Sequence, residues 1–150
     1  MIEGSLGRAR WWFTDRRDGH SHAPYASLNL ALHVGDDPAR VHENRALLAD
    51  RLGLRPATEW QWLEQVHGNV VVDAAADGAV PAADAAVTTE AGLPMVSMSA
   101  DCSPIVLVAD EGAALAVVHA GWAGLLCGVI PAAVERLRAL SDGPIDAVLG

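Results

Sequence analysis

The sequence predicts a mixed α/β (α+β) fold, with mixed, largely antiparallel sheets flanked by helices. Three observations carry that reading. Short apolar runs follow one another across Gly, Pro and Asp turns rather than alternating with long helices. Asp36-Asp37-Pro38 opens one strongly marked helix. Two further apolar runs, 105–109 and 113–118, flank Asp110-Glu111-Gly112 and read as a β-hairpin.

Taken in order, residues 11–14 form a short aromatic strand, followed by a polar turn over 15–21. Residues 24–32 read as a loop leading into a short strand. After the Asp-Pro start, Val41, Leu48 and Leu52 recur on one helical face, and Gly53 closes the helix. Residues 60–66 alternate Trp and polar residues, predicting a strand, and 70–73 continues as another. Residues 74–83, rich in Ala, Asp, Gly and Pro, form a loop. Segments 85–88 and 95–98 are short strands about the turn at Glu90-Ala91-Gly92. Beyond the hairpin, 122–140 reads as a helix that Pro131 either kinks or interrupts. Residues 146–149 supply a last strand.

At 150 residues the chain predicts a single domain, 1–150, able to bury a core. It stops in mid-pattern on an apolar strand, which reads as a domain lacking its C-terminal portion. A hydrophobic content of 51% and a charged content of 19% are ordinary for a globular protein. The net charge of −9 and the scattered Arg residues argue against a nucleic-acid or anionic-membrane partner. Cys102 and Cys127 make no disulfide framework, and no signal-like or membrane-length apolar run is present. A reducing cytoplasm is the compartment these features predict.

The chemistry-bearing residues are His67, Cys102 and His119, each beside Gly or Pro at the mouth of an apolar strand. Folding the hairpin brings Cys102 and His119 together. A two-residue turn sets Cys102 opposite His119, whereas a three-residue turn sets Ser103 there and turns Cys102 to the other face. Two imidazoles and a thiolate suit zinc, leaving a fourth position for a water that can be ionised near neutral pH. Copper accepts the same set. A cysteine nucleophile activated by His119 is the other functional reading, while a lone cysteine is ordinarily a small buried hydrophobe. Asp101 either orients a ligand, acts as a base or caps a turn. Arg16, Asn29 and Asn44-Arg45 border apolar segments and suit a sugar hydroxyl or phosphate, or simply the surface. Cys127 reads as packing, and His20, His22, His33 and His42 as solvated.

Three motifs, Gln65-Val66-His67-Gly68, Ala100-Asp101-Cys102-Ser103-Pro104 and His119-Ala120-Gly121-Trp122-Ala123-Gly124, occur in order. With Phe13-Thr14 and Arg16, residues 24–30, Val34-Gly35-Asp36-Asp37, Asn44-Arg45 and residues 84–88, they resemble the YfiH family, also called the laccase-domain or polyphenol-oxidase family. The resemblance implies a mixed α/β fold with a zinc-binding His, Cys and His, here His67, Cys102 and His119. It implies purine nucleoside phosphorolysis on adenosine, inosine, guanosine or methylthioadenosine, together with adenosine deamination. A copper-dependent phenol oxidase is the alternative, and a non-catalytic metal-binding fragment a third reading. Beside that resemblance, Cys102, His119 and Asp101 are the catalytic candidates, Arg16 is the candidate anion contact, and Asn29 and Asp101 are the candidates for nucleoside contacts or proton handling. The family pattern usually carries Arg where Ala123 stands, which implies weaker phosphorolysis relative to deamination if that cation holds phosphate. It also continues beyond Gly150.

Overall fold

The computed structural model describes residues 1–150. Its centre is a five-stranded sheet with strand order β3-β4-β6-β5-β7. The strands are β3 (Val71–Asp73), β4 (Ala85–Thr88), β5 (Ser103–Ala109), β6 (Ala114–Ala120) and β7 (Ile145–Leu149). Only β3 and β4 run parallel; the other pairings are antiparallel. A separate hairpin, β1 (Ile2–Leu6) and β2 (Ala9–Phe13), carries the aromatic segment. Strand β1 is an addition to the expected elements. It forms because Gly7, at φ 56°, permits the tight reversal that pairs it with β2.

Helix α1 (Pro38–Leu52) begins and ends where its signals place it. Asp37 accepts a hydrogen bond from the Ala39 N–H at 3.0 Å, and Gly53 terminates the helix at φ 63°. Val41 and Leu48 are buried on its inner face. The expected helix over 122–140 is instead two: α2 (Trp122–Cys127) and α3 (Val129–Arg138). The break falls at Gly128, left-handed at φ 83°, and not at Pro131. Pro131 lies in the first turn of α3, where its missing N–H costs no helical hydrogen bond.

Helix α3 lays Val129, Ala133 and Leu137 against one sheet face, on Ile105, Leu107, Ala116 and Val118. The other face, through Ala86 and Val117, meets Leu63 and Ala83. Beyond that layer, Trp60 and Trp62 pack on Leu48 and Ala49 of α1. Residues 60–63 are thus buried on both sides, which explains the Trp alternation, while Glu64 and Val66 are exposed, and 60–66 forms no strand. Gln61 bridges Met95 and Glu64 bridges Ala82, so the segment pairs singly with two different partners. For the same reason 95–98 contributes one bridge and not a strand. Residues 24–32 contain no strand either. Their carbonyls at Ser27 and Asn29 take hydrogen bonds from the Asn44 amide at 3.1 and 2.8 Å, which replaces a ladder.

The central hairpin exists, with a register that neither short turn gives. Pro104 stands opposite His119 and Ala109 opposite Ala114, so four residues make the connection. Asp110, Glu111 and Gly112 all have positive φ, at 48°, 52° and 102°. A further slip of one residue beyond the three-residue turn restores the side-chain parity of Cys102 and His119.

Candidate metal centre

Each candidate ligand is held by a different device. His119 is the penultimate residue of β6, buried at the strand's end with 3% of its surface exposed. Cys102 directly precedes β5, half-buried, its carbonyl accepting the Ser99 hydroxyl. In the extended register Cys102 faces Gly121, diagonal to His119. His67 is exposed in the loop before β3, in the left-handed region at φ 60°, where a residue with a side chain needs outside support. Its neighbours tie that loop down. The Gln65 carboxamide exchanges two hydrogen bonds of 2.7 Å with the Met98 backbone, joining the His67 loop to the one carrying Cys102. The Asn69 amide donates to the Cys127 carbonyl of α2 at 2.8 Å.

The sequence motifs converge. The ligand atoms of His67, Cys102 and His119 all lie within 4.8 Å of one another. The two imidazoles meet edge to face, with centroids 4.8 Å apart. Gly121 closes the cradle: a Cβ there would stand 2.9 Å from His67 Cδ2, 3.1 Å from Cys102 Sγ and 3.6 Å from His119 Cε1. Two nitrogens and a sulfur fit zinc or copper by donor type. A tetrahedral zinc sets such atoms roughly 3.3–3.8 Å apart, so small side-chain rotations bring them to bonding distance. The donor set and spacing therefore fit a metal ion held by these three residues.

Asp84 is the residue that sequence reasoning missed. It is 0% exposed, directly before β4, and its carbonyl accepts the His119 N–H at 2.7 Å. Its carboxylate Oδ1 lies 2.8 Å from His119 Nδ1 and accepts the His67 N–H at 2.9 Å. Oδ2 accepts the Gly68 N–H at 2.7 Å and the Val66 N–H at 3.3 Å. Burial alone would raise its pKa, but the hydrogen bonds from His119, Gly68 and His67 prevail and hold it below the ordinary carboxylate value. The available signal was its place at the head of the 84–88 motif, an Asp opening the apolar run 85–88 with no role attached to it. Its meaning depends on β4–β6 pairing across distant sequence, which spacing does not reveal.

Asp101 is exposed beside Cys102 and lies outside the ligand cluster. A cleft of about 1050 Å³ adjoins the centre at Cys102 and is bordered by Asp101, Arg16, Asn29, Trp11 and Met98. His67 and His119 do not line it, so cleft and ligand cluster touch only through Cys102. Arg16 donates through Nε to the Ala26 carbonyl at 2.7 Å and through Nη2 to the Pro24 carbonyl at 3.3 Å. The Asn29 amide donates to Ala31 and to Asp36. Both residues thus brace the 24–36 loop at the edge of the cleft. Asn44 and Arg45 lie inside the fold, with Arg45 stacked 3.5 Å over Trp62 and donating to the Leu30 carbonyl at 2.9 Å. Burial pushes the Arg45 guanidinium down to about 10. Cys127 is exposed rather than packed. No helix is long and apolar enough to cross a membrane.

The fold is a mixed α/β sheet, one end of which gathers His67, Cys102 and His119 into a cluster able to hold a metal ion. The family model described as "Multi-copper polyphenol oxidoreductase laccase" matches residues 10–150, and the chain belongs to that family, which includes the YfiH proteins. It is similar to "Purine nucleoside phosphorylase ORF3" of Streptomyces griseus, 46% identical over 142 residues, covering 92% of this chain and 57% of that protein. A purine nucleoside phosphorylase of Streptomyces coelicolor is also 46% identical, over 96% of this chain and 60% of its own. Among solved structures, YlmD from Geobacillus stearothermophilus superposes with a TM-score of 0.82 at 34% identity, over 90% of this chain and 54% of that one. The YfiH protein of Bacillus licheniformis gives a TM-score of 0.80 at 28% identity, over 90% and 55%. The chain spans little more than half the length of these relatives.

Proposed function

We propose that this chain carries the metal centre of a zinc-dependent purine nucleoside phosphorylase that also deaminates adenosine, working in the cytoplasm. The observation that carries the reading is the convergence of His67, Cys102 and His119 around Gly121, in a chain 46% identical to proteins named purine nucleoside phosphorylase. A metal held by those side chains supplies Lewis acidity toward a substrate or water oxygen. The remaining work belongs to the chain. The Asp84 contact leaves Nε2 of His119 as the nitrogen free to face the centre. In phosphorolysis, phosphate attacks the ribose C1′ in line as the bond to the purine nitrogen breaks, so both reactants need orientation. Arg16 borders the cleft with Nη1 available and is the phosphate contact; Asn29 is the nucleoside contact. Exposed Asp101 serves as the proton-handling group for the departing base or amine. Ala123, in the first turn of α2, brings no cation to the centre, which favours deamination over phosphorolysis.

Zinc-loaded protein incubated with adenosine and phosphate tests this directly. Adenine, ribose-1-phosphate and inosine are the expected products, and their absence from a zinc-loaded chain extended to the relatives' length would contradict the proposal. The family model's description favours a second reading, a copper phenol oxidase on the same ligands. Copper-dependent oxygen uptake with a phenol, lost in Cys102→Ala, would select it instead.

A further inference from the structure

The two histidines of the centre reach it from separate segments, yet one side chain touches both. Oδ1 of Asp84 is shared: it faces Nδ1 of His119 at 2.8 Å and takes the backbone N–H of His67 at 2.9 Å. Oδ2 takes Gly68 and Val66, the residues on either side of His67. Three consecutive N–H groups therefore converge on one carboxylate. That convergence supports the left-handed turn which gives His67 its φ of 60°. Asp84 is fully buried, and the β4–β6 register places Ala85 opposite Val118, so Asp84 falls opposite His119. Backbone pairing fixes the carboxylate relative to one ligand, and side-chain acceptance fixes it relative to the other.

We infer that Asp84 is the positioning residue of this centre. One buried carboxylate sets the ring tautomer of His119 and the backbone turn of His67 together, so the site stands assembled before any metal arrives. The inference rests on the metal-centre reading of the ligand cluster and adds to it a residue that touches neither metal nor substrate. A carboxylate is required because both oxygens accept, four N–H groups in all. An asparagine offers one accepting oxygen and turns an NH₂ toward either the ring or the turn. Outer partners of this kind change metal affinity by about 10- to 100-fold.

The test has two arms. In the metal-free wild-type chain, ¹⁵N NMR of the His119 ring should show Nδ1 protonated and Nε2 bare, a result that needs neither metal nor variant. Zinc titrated against a chromophoric chelator should then show Asp84→Asn binding about 10- to 100-fold more weakly, with the amide spectrum confirming a native fold. A bare Nδ1 in the wild-type chain, or a folded Asp84→Asn protein with undiminished zinc affinity, overturns the inference. A wild-type chain that takes no zinc fails the metal reading instead, and the tautomer result alone then decides whether Asp84 orients His119.

Discussion

Two fully buried polar side chains organise this molecule, and they differ in what they leave free. Asn44, on α1, donates to the Ser21 hydroxyl and to the carbonyls of Ser27 and Asn29, and accepts the His20 N–H at 2.6 Å. Every group it touches is satisfied within the chain, and Asn29 and Ser21 pass the network on to Asp36. Asp84 holds a loop in a comparable way, but what it orients ends in His67 and His119, whose ring nitrogens converge on Cys102. Both hubs are buried and polar, with short hydrogen bonds. A hub marks chemistry when it holds side chains whose donor atoms stay free, and marks architecture when the bonds close on themselves.

The largest effect separating the hubs is loss of a ligand. Cys102→Ala should abolish stoichiometric zinc binding, measured by metal analysis after dialysis, while circular dichroism stays native, because Cys102 is half-buried and lies outside the hydrophobic core clusters. Asn44→Ala should do the reverse. Removing a buried amide with four partners should cost about 2–4 kcal/mol in urea unfolding and leave zinc affinity within about twofold. Gly121→Ala is intermediate: its Cβ would sit 2.9 Å from His67 and 3.1 Å from Cys102 Sγ, so zinc affinity should fall about tenfold with little change in stability.

The smallest effect is in the acid limb of the first hub. Hydrogen bonds from Asn29 and then Ser21 hold the Asp36 carboxyl below its ordinary value of 3.8. A carboxyl depressed in the folded state contributes stability that is present above that ordinary value and lost as the pH falls through the lower folded one. Asp36→Asn should therefore be less stable than wild type at neutral pH, with the difference shrinking below about pH 4. A constant difference across that range, in pH-dependent urea unfolding, would remove the carboxylate from the network.

The contrast between hubs also explains what could be read from sequence. Helix α1 was legible because its start and stop signals are local: Asp37, Pro38 and Gly53 act within a turn of themselves. The hairpin was legible in outline, but its register depends on three successive positive-φ residues, which only Gly112 advertises. The tryptophans of 60–66 showed strand periodicity because the segment is clamped between α1 and the sheet, and burial on two sides imitates a ladder. His67, Cys102 and His119 stood out as motifs, and the structure brings their side chains together. Asp84 stood in the 84–88 motif, but its role did not show, because that role exists only once β4 lies beside β6. Arg16 and Asn29 stood out as polar residues beside apolar segments, and the structure gives each a bracing role in the loop at the cleft's edge.

The central claim is that Cys102, and not the more exposed Cys127, joins two histidines around one metal ion. Cobalt(II) titration reads this directly, since a thiolate ligand gives an intense charge-transfer band in the near ultraviolet. One equivalent should develop that band in the wild-type chain and in Cys127→Ala, and none should appear in Cys102→Ala. A band that survives Cys102→Ala, or that depends on Cys127, would contradict the account.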